Sequence, residues 1–212
     1  MTSGLQVVDG PLRYLISVPP IPAPRPVLLF LHGYHEAAPE DIHITLTKHS
    51  PLNPGAAPLA RAEFIVVAPQ LPRAGDLWHA QVDAVESIVR EVQGEHGGDV
   101  ARTYLTGFSF GGNGVFDIGI ALPQLWAALW SVDPTRVPHA DPGLPVWLSS
   151  GALSRDLEGG FVGRLHLLPL SGDLGEDRVF TDDRLDHVGT AASAYANVRA
   201  YEWLLMHRRV QR

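Results

Sequence analysis

The chain has 212 residues, 45% hydrophobic and 18% charged, a globular balance with enough length for one compact core, so a single domain over residues 1–212 is expected. A formal charge of −7 leaves no basic face to neutralise phosphates and excludes nucleic acid as a partner class. The lack of cysteine excludes disulfides, thiolate metal sites and a cysteine nucleophile.

At the N-terminus, MTSGLQVVDGPLRYL has no basic region followed by an apolar core, so no signal peptide is read. No apolar run reaches the roughly 20 residues that cross a bilayer. A cytoplasmic protein with no membrane partner is therefore expected. Residues 5–8 and 12–18 flank Asp9-Gly10, a hairpin signal, because glycine readily takes positive φ. Residues 27–31, VLLFL, are apolar at every position, as in a strand covered on both faces. Residues 51–62 are rich in proline, glycine and alanine and read as a loop; residues 64–68, FIVVA, read as another buried strand.

Val82, Val85, Ile88, Val89 and Val92 recur at helical spacing, with charged residues on the other side. Residues 104–106 form a strand-like run, and residues 110–122 are helical in pattern and stop before Pro123. Residues 127–132 and 146–148 are further strands. Residues 165–170 are a weaker one, since Pro169 cannot donate to a ladder and points to an edge. Tyr195, Val198, Trp203 and Leu204 lie in a final helix that turns basic at Arg208 and Arg209. Strands alternating with helices imply a parallel sheet with helices on both faces.

Gly107-Phe108-Ser109-Phe110-Gly111 fits G-x-S-x-G, with a buried strand before it and a helix after it. Such a turn exposes Ser109 at the strand's C-terminal end and forces its backbone into a strained conformation. Small residues at 107 and 111 avoid clashes there. The following helix aims free N–H groups at the spot where an oxyanion would develop, the Phe110 N–H first among them. A second donor can come from Gly33 or Tyr34, after the strand VLLFL; His32 braces that loop through a hydrogen bond rather than acting as a base. Among ten histidines, His187 sits in a loop just before the final helix, where it can reach back over the sheet edge; His166 reads as a packed or edge residue. Trp78 and Tyr34 are candidates to line an acyl pocket. His32, His35, His43 and His49, with Glu36, Glu40 and Asp41 among them, match no compact metal motif, and no G-x-G-x-x-G follows an early strand; neither a metal nor a nucleotide is expected.

Four segments in order, VLLFLHGYHEA, FIVVAPQLP followed by Trp78, RTYLTGFSFGGNGVFDIGIALPQLWAALW and DHVGTAASAYANVRAYEWLLMHRR, resemble the serine α/β-hydrolases, in the esterase, feruloyl-esterase-like, polyhydroxyalkanoate-depolymerase-like and "predicted peptidase" branch. The resemblance implies an α/β-hydrolase fold with a mostly parallel, eight-stranded sheet. It maps the nucleophile to Ser109, the base to His187 and the oxyanion donors to Phe110 and Gly33 or Tyr34. The chain's shortness and lack of an obvious insertion imply no cap domain and an open, shallow site. The family's acid follows the strand PVWLSS, and its place falls here on Ser154, which cannot serve. Asp156, two residues on, is the first choice. Asp133, at the end of ALWSVD, is the runner-up, since some hydrolases of this fold take the acid from the preceding strand; Asp173 and Asp177 are more distant options, and Asp186 adjoins His187 too closely to face it well. Hydrolysis of a small carboxylic ester through an acyl-enzyme, without a cofactor, is the expected activity. An amidase or peptidase with the same parts and a non-catalytic binding scaffold remain open, as does the oligomeric state.

Overall fold

The computed structural model describes residues 4–209. The expected hairpin forms from β1 (Gln6–Val8) and β2 (Tyr14–Ser17), paired antiparallel across residues 9–13, although Gly10 is not at positive φ. β3 (Arg25–Leu31) follows, then α1 (Ile42–Lys48), α2 (Pro58–Glu63) and β4 (Ile65–Pro69). Next come α3 (Val82–Glu95), β5 (Gly98–Phe108), α4 (Phe110–Ala121), β6 (Ala128–Val132) and β7 (Val146–Ser150). The chain then runs through α5 (Glu158–Leu165), β8 (Leu168–Pro169), β9 (Arg178–Asp182), α6 (His187–Ala196) and α7 (Val198–Met206).

The strands form one sheet in the order β1-β2-β4-β3-β5-β6-β7-β9-β8. β2 joins β4 antiparallel, and every pair from β4 onward is parallel. The nine strands exceed the eight expected by β9. Its sequence, RVFTD, is too polar to stand out as an apolar run, yet it sits inside the sheet between β7 and β8. Pro169 does fall on an edge, in the two-residue β8.

Period-two alternation splits the strands between two cores. Val27, Leu29 and Leu31 of β3 face α3, α4 and α5, in a core that holds Ile88, Phe116 and Phe161. Leu28 and Phe30 face the opposite layer, with Leu46 of α1, Tyr195 of α6 and Trp203 of α7. Both faces are covered, so the parallel strands are apolar throughout rather than alternating. All five tryptophans are buried in these layers, and each full burial contributes on the order of 3 kcal/mol.

Three local differences from the sequence reading matter for the site. Residues 58–63, within the stretch expected to be a loop, form α2 with Pro58 at its first turn, where a missing N–H costs nothing. A short helix, α5, forms just before the stretch read as a weak strand, and its end is a left-handed His166, exposed rather than packed. The terminal helical segment is two helices divided at Asn197, and His187 is the first residue of the earlier one rather than part of a loop.

The connectivity predicts where a ligand would sit. From β3 the chain goes to β4 on one side, and β5 lies on the other. Such a reversal of direction opens a crevice at the C-terminal ends of the diverging strands. His32-Gly33 leaves β3 at that point, and Ser109 leaves β5 there.

Candidate active site

Ser109 lies between β5 and α4 with φ 59° and ψ −118°, a conformation that costs a non-glycine residue about 1–3 kcal/mol. Gly111 makes the turn possible. A Cβ there would collide with the backbone carbonyl of Leu31, so only glycine lets α4 approach the end of β3 this closely. Phe110 is the first residue of α4, so its N–H has no acceptor within the helix. One turn on, the Asn113 side chain accepts from the Thr135 and Arg136 N–H groups and donates to Thr135 Oγ1, tying α4 to the loop that follows β6.

The loop after β3 packs against this turn: a Cβ on Gly33 would stand 3.4 Å from Ser109 Cβ. His32 braces it as expected. The Leu71 N–H donates to Nε2 at 2.9 Å, which fixes the tautomer, and Nδ1–H donates to the Gly33 carbonyl at 2.6 Å. Burial, the largest influence, lowers the His32 pKa despite opposing contributions from the Gly33 carbonyl and Glu36. Gly33 itself departs from expectation. Its N–H donates at 2.8 Å to Glu36 Oε2, so it is committed within its own loop. Tyr34, the first residue of a short 3-10 turn, keeps an N–H without a helical acceptor. Tyr34 is 44% exposed, and its ring meets Phe110 edge-on, with centroids 5.4 Å apart. Glu36, which the sequence offered only as a rejected metal ligand, also accepts from His49 Nδ1 at 2.6 Å. Its position three residues after Gly33 is the spacing of a capping box and could have revealed it. Trp78 does not line a pocket. It is fully buried, donates from Nε1 to the His32 carbonyl at 3.1 Å, and lies against Gly114, where a Cβ would come within 2.6 Å of Trp78 Cβ.

His187 opens α6 behind the N-cap Asp186, whose carboxylate accepts from the Gly189 N–H at 2.6 Å. Its ring packs on Phe108, the residue before Ser109, with centroids 4.4 Å apart. Nδ1 donates to Asp133 Oδ2 at 2.7 Å, which leaves Nε2 for proton exchange. The partner is thus the runner-up among the sequence candidates. Asp156 is exposed in a 3-10 turn, while Asp133 is fully buried at the end of β6. Asp177 pairs instead with His207 at 3.1 Å, and Asp173 accepts from the Gly175 N–H at 3.2 Å in its own exposed loop.

Five hydrogen bonds converge on the Asp133 carboxylate. Oδ1 accepts from Gly151 N–H at 3.1 Å, Ser154 N–H at 2.8 Å and Ser154 Oγ at 2.7 Å. Oδ2 accepts from Leu153 N–H at 3.3 Å and from His187. Burial, the largest single influence, pushes this carboxyl's pKa up. His187, the Ser154 N–H and hydroxyl and the Leu153 N–H together outweigh it and hold the pKa below the usual carboxylate value. Asp133 also has a positive φ, 40°, so it and Ser109 are two of the four described non-glycine residues in that region. Strain of this kind persists only where the surroundings impose it.

Solved structures share this arrangement of sheet and helices. A thermostable esterase superposes with a TM-score of 0.74 at 22% identity, over 97% of this chain and 62% of its own. The fluorophosphonate-binding serine hydrolase F of Staphylococcus aureus superposes with a TM-score of 0.70 at 12% identity, over 95% of this chain and 97% of that one. The chain has the α/β-hydrolase fold. An S-formylglutathione hydrolase of Agrobacterium tumefaciens shares the hydrolase fold with a TM-score of 0.64 at 14% identity, over 94% of each chain. No protein-family model and no curated protein matches the sequence. This version of the hydrolase fold carries no helix in residues 133–145, between β6 and β7. Among its described residues, no three His, Asp or Glu side chains gather as metal ligands, and no helix is long and apolar enough to cross a membrane.

Proposed function

We propose that the protein hydrolyses carboxylic esters through an acyl-enzyme, with Ser109 as nucleophile, His187 as general base and Asp133 as the acid that orients it. The observation that carries this reading is the 2.7 Å bond from His187 Nδ1 to a buried carboxylate, beside a serine held in a strained strand-to-helix turn. In this mechanism Ser109 attacks the ester carbonyl carbon as its proton passes to His187 Nε2. The tetrahedral oxyanion accepts hydrogen bonds from the Phe110 and Tyr34 N–H groups. His187 then protonates the departing alcohol, and a water activated by the same nitrogen releases the acid. Asp133 keeps Nδ1 protonated and stabilises the imidazolium without taking its proton. No step calls for a cofactor.

Its structural neighbours include an esterase and a serine hydrolase, which fits this reading. A non-catalytic scaffold drew its support from Ser154 standing where an acid was expected, and the Asp133–His187 bond removes that support. The test compares p-nitrophenyl acetate with the matching anilide. Ester turnover should dominate, and Ser109→Ala should abolish it. Equal or greater anilide turnover would replace the esterase reading with an amidase one.

A further inference from the structure

Asp133 and His187 are supported by two separate pieces of chain. The turn after β7 supplies Asp133 with donors from Gly151, Leu153 and Ser154. The connection of residues 183–186, between β9 and α6, carries His187. Pairing between β7 and β9 ends at Ser150 and Asp182, so no ladder bond ties the turn to the connection. Yet a 2.7 Å contact between the two side chains needs both pieces in one frame.

Arg155 joins them. Its backbone belongs to the turn, with its N–H donating to the Gly151 carbonyl at 2.9 Å. Its guanidinium reaches the connection. Nε donates to Asp182 Oδ2 at 2.7 Å and Nη2 to Asp182 Oδ1 at 2.8 Å, a two-pronged pairing that fixes direction as well as distance. Nη2 also donates at 3.3 Å to the carbonyl of Leu185, two residues before His187. Asp182 Oδ1 accepts in addition from the Arg184 N–H at 2.7 Å, which curls the connection back on its own start. One guanidinium thus grips both ends of the segment that carries His187. Most exposed ion pairs contribute little, but this one is bidentate and its Asp182 side chain is only 16% exposed. The Arg155 hydrogen bonds are also the largest influence on the Asp182 carboxyl, and they hold its pKa below the usual value against the effect of burial.

We propose that Arg155 is a positioning residue for ester hydrolysis. It locks the connection that carries His187 to the turn that supports Asp133, and so sets the Nδ1–Oδ2 contact on which proton transfer from Ser109 depends. It acts through these two side chains and not on the substrate. This inference rests on the triad reading above.

Arg155→Met and Asp182→Asn remove opposite charges but break the same clamp, so they separate alignment from simple electrostatics. The experiment measures kcat and KM for p-nitrophenyl acetate, and the rate at which a fluorophosphonate labels Ser109, in both variants, in the double variant and in Arg155→Lys, with melting as the check on folding. Each single variant should lower kcat about 10–100-fold with KM nearly unchanged, and should slow labelling in proportion. The double variant should fall no further than the weaker single one, because both lose one shared contact. Arg155→Lys keeps the charge but not the fork, and should also lose activity. An unchanged kcat in folded Arg155→Met, a change confined to KM, or opposite changes in the two single variants would overturn the proposal. If Arg155→Met does not fold, Arg155→Lys decides: a lowered kcat at unchanged KM supports the clamp, and full activity overturns it. No labelling of Ser109 in the native protein would instead sink the triad reading itself, a separate and distinguishable failure.

Discussion

Glu36 determines which backbone donor is free in the loop after β3. Its carboxylate takes the Gly33 N–H, while that of Tyr34, first in the 3-10 turn, has no helical acceptor. Glu36→Ala should therefore blur the position of a transition-state donor and lower kcat by about 10–100-fold with little change in KM, as read from steady-state ester kinetics. A rise in KM alone would mean that Glu36 shapes substrate binding instead. The two low pKa values at the site set opposite ends of one stability profile. His32 is held neutral by burial, so the unfolded chain binds the extra proton first. Its contribution is present above the unfolded value of about 6.5 and is lost as pH falls below it. Asp133, a carboxyl with a depressed pKa, contributes above the unfolded value of about 3.9 and loses that contribution only as pH falls further, through its folded value. Urea midpoints should accordingly decline between pH 7 and pH 5, and His32→Gln should flatten that part of the curve. A slope that persists unchanged in the variant would assign it to other histidines.

At the scale of elements, the close approach of α4 to β3 depends on Gly111. Gly111→Ala must part the two backbones and should cost about 3 kcal/mol or more in chemical denaturation. An equally stable variant would show that the turn is looser than its geometry implies. Most elements were legible because they bury one recurring pattern: VLLFL and FIVVA are strands covered on both faces, and the G-x-S-x-G turn is written in residue size. β9 was not legible, because RVFTD has no apolar run and earns its place only through pairing with β7 and β8. The carboxylate that meets His187 was not legible for a related reason. Asp133 and Ser154 are distant in sequence and meet only because β6 and β7 are neighbours in register. Sequence proximity favoured Asp156, which the 3-10 turn instead turns out to solvent. Gly33 was one of two donors the loop after β3 offered, but its N–H is committed to Glu36, a contact between side chain and backbone that no hydrophobic pattern reports.

At the scale of the molecule, the change of direction between β4, β3 and β5 puts the site at the sheet's C-terminal edge, and no helix in residues 133–145 rises over it. Tyr34 and Leu153, from two connections, and Val188, from the start of α6, are exposed around Ser109, Asp133 and His187. Among the described residues, the connection from β6 to β7 supplies no helix to displace. Hydrolysis of p-nitrophenyl butyrate should rise smoothly with concentration and show no jump on adding micelles; a sharp increase would indicate a moving cover. The whole account turns on Ser109 as a nucleophile activated by His187. Its most direct test is the mass of the intact protein, and of its tryptic peptides, after reaction with a fluorophosphonate. One adduct on the peptide containing Ser109, absent in Ser109→Ala and slowed at least about 100-fold in His187→Ala, is the predicted result. No adduct on the native protein, or one that persists in Ser109→Ala, would contradict it.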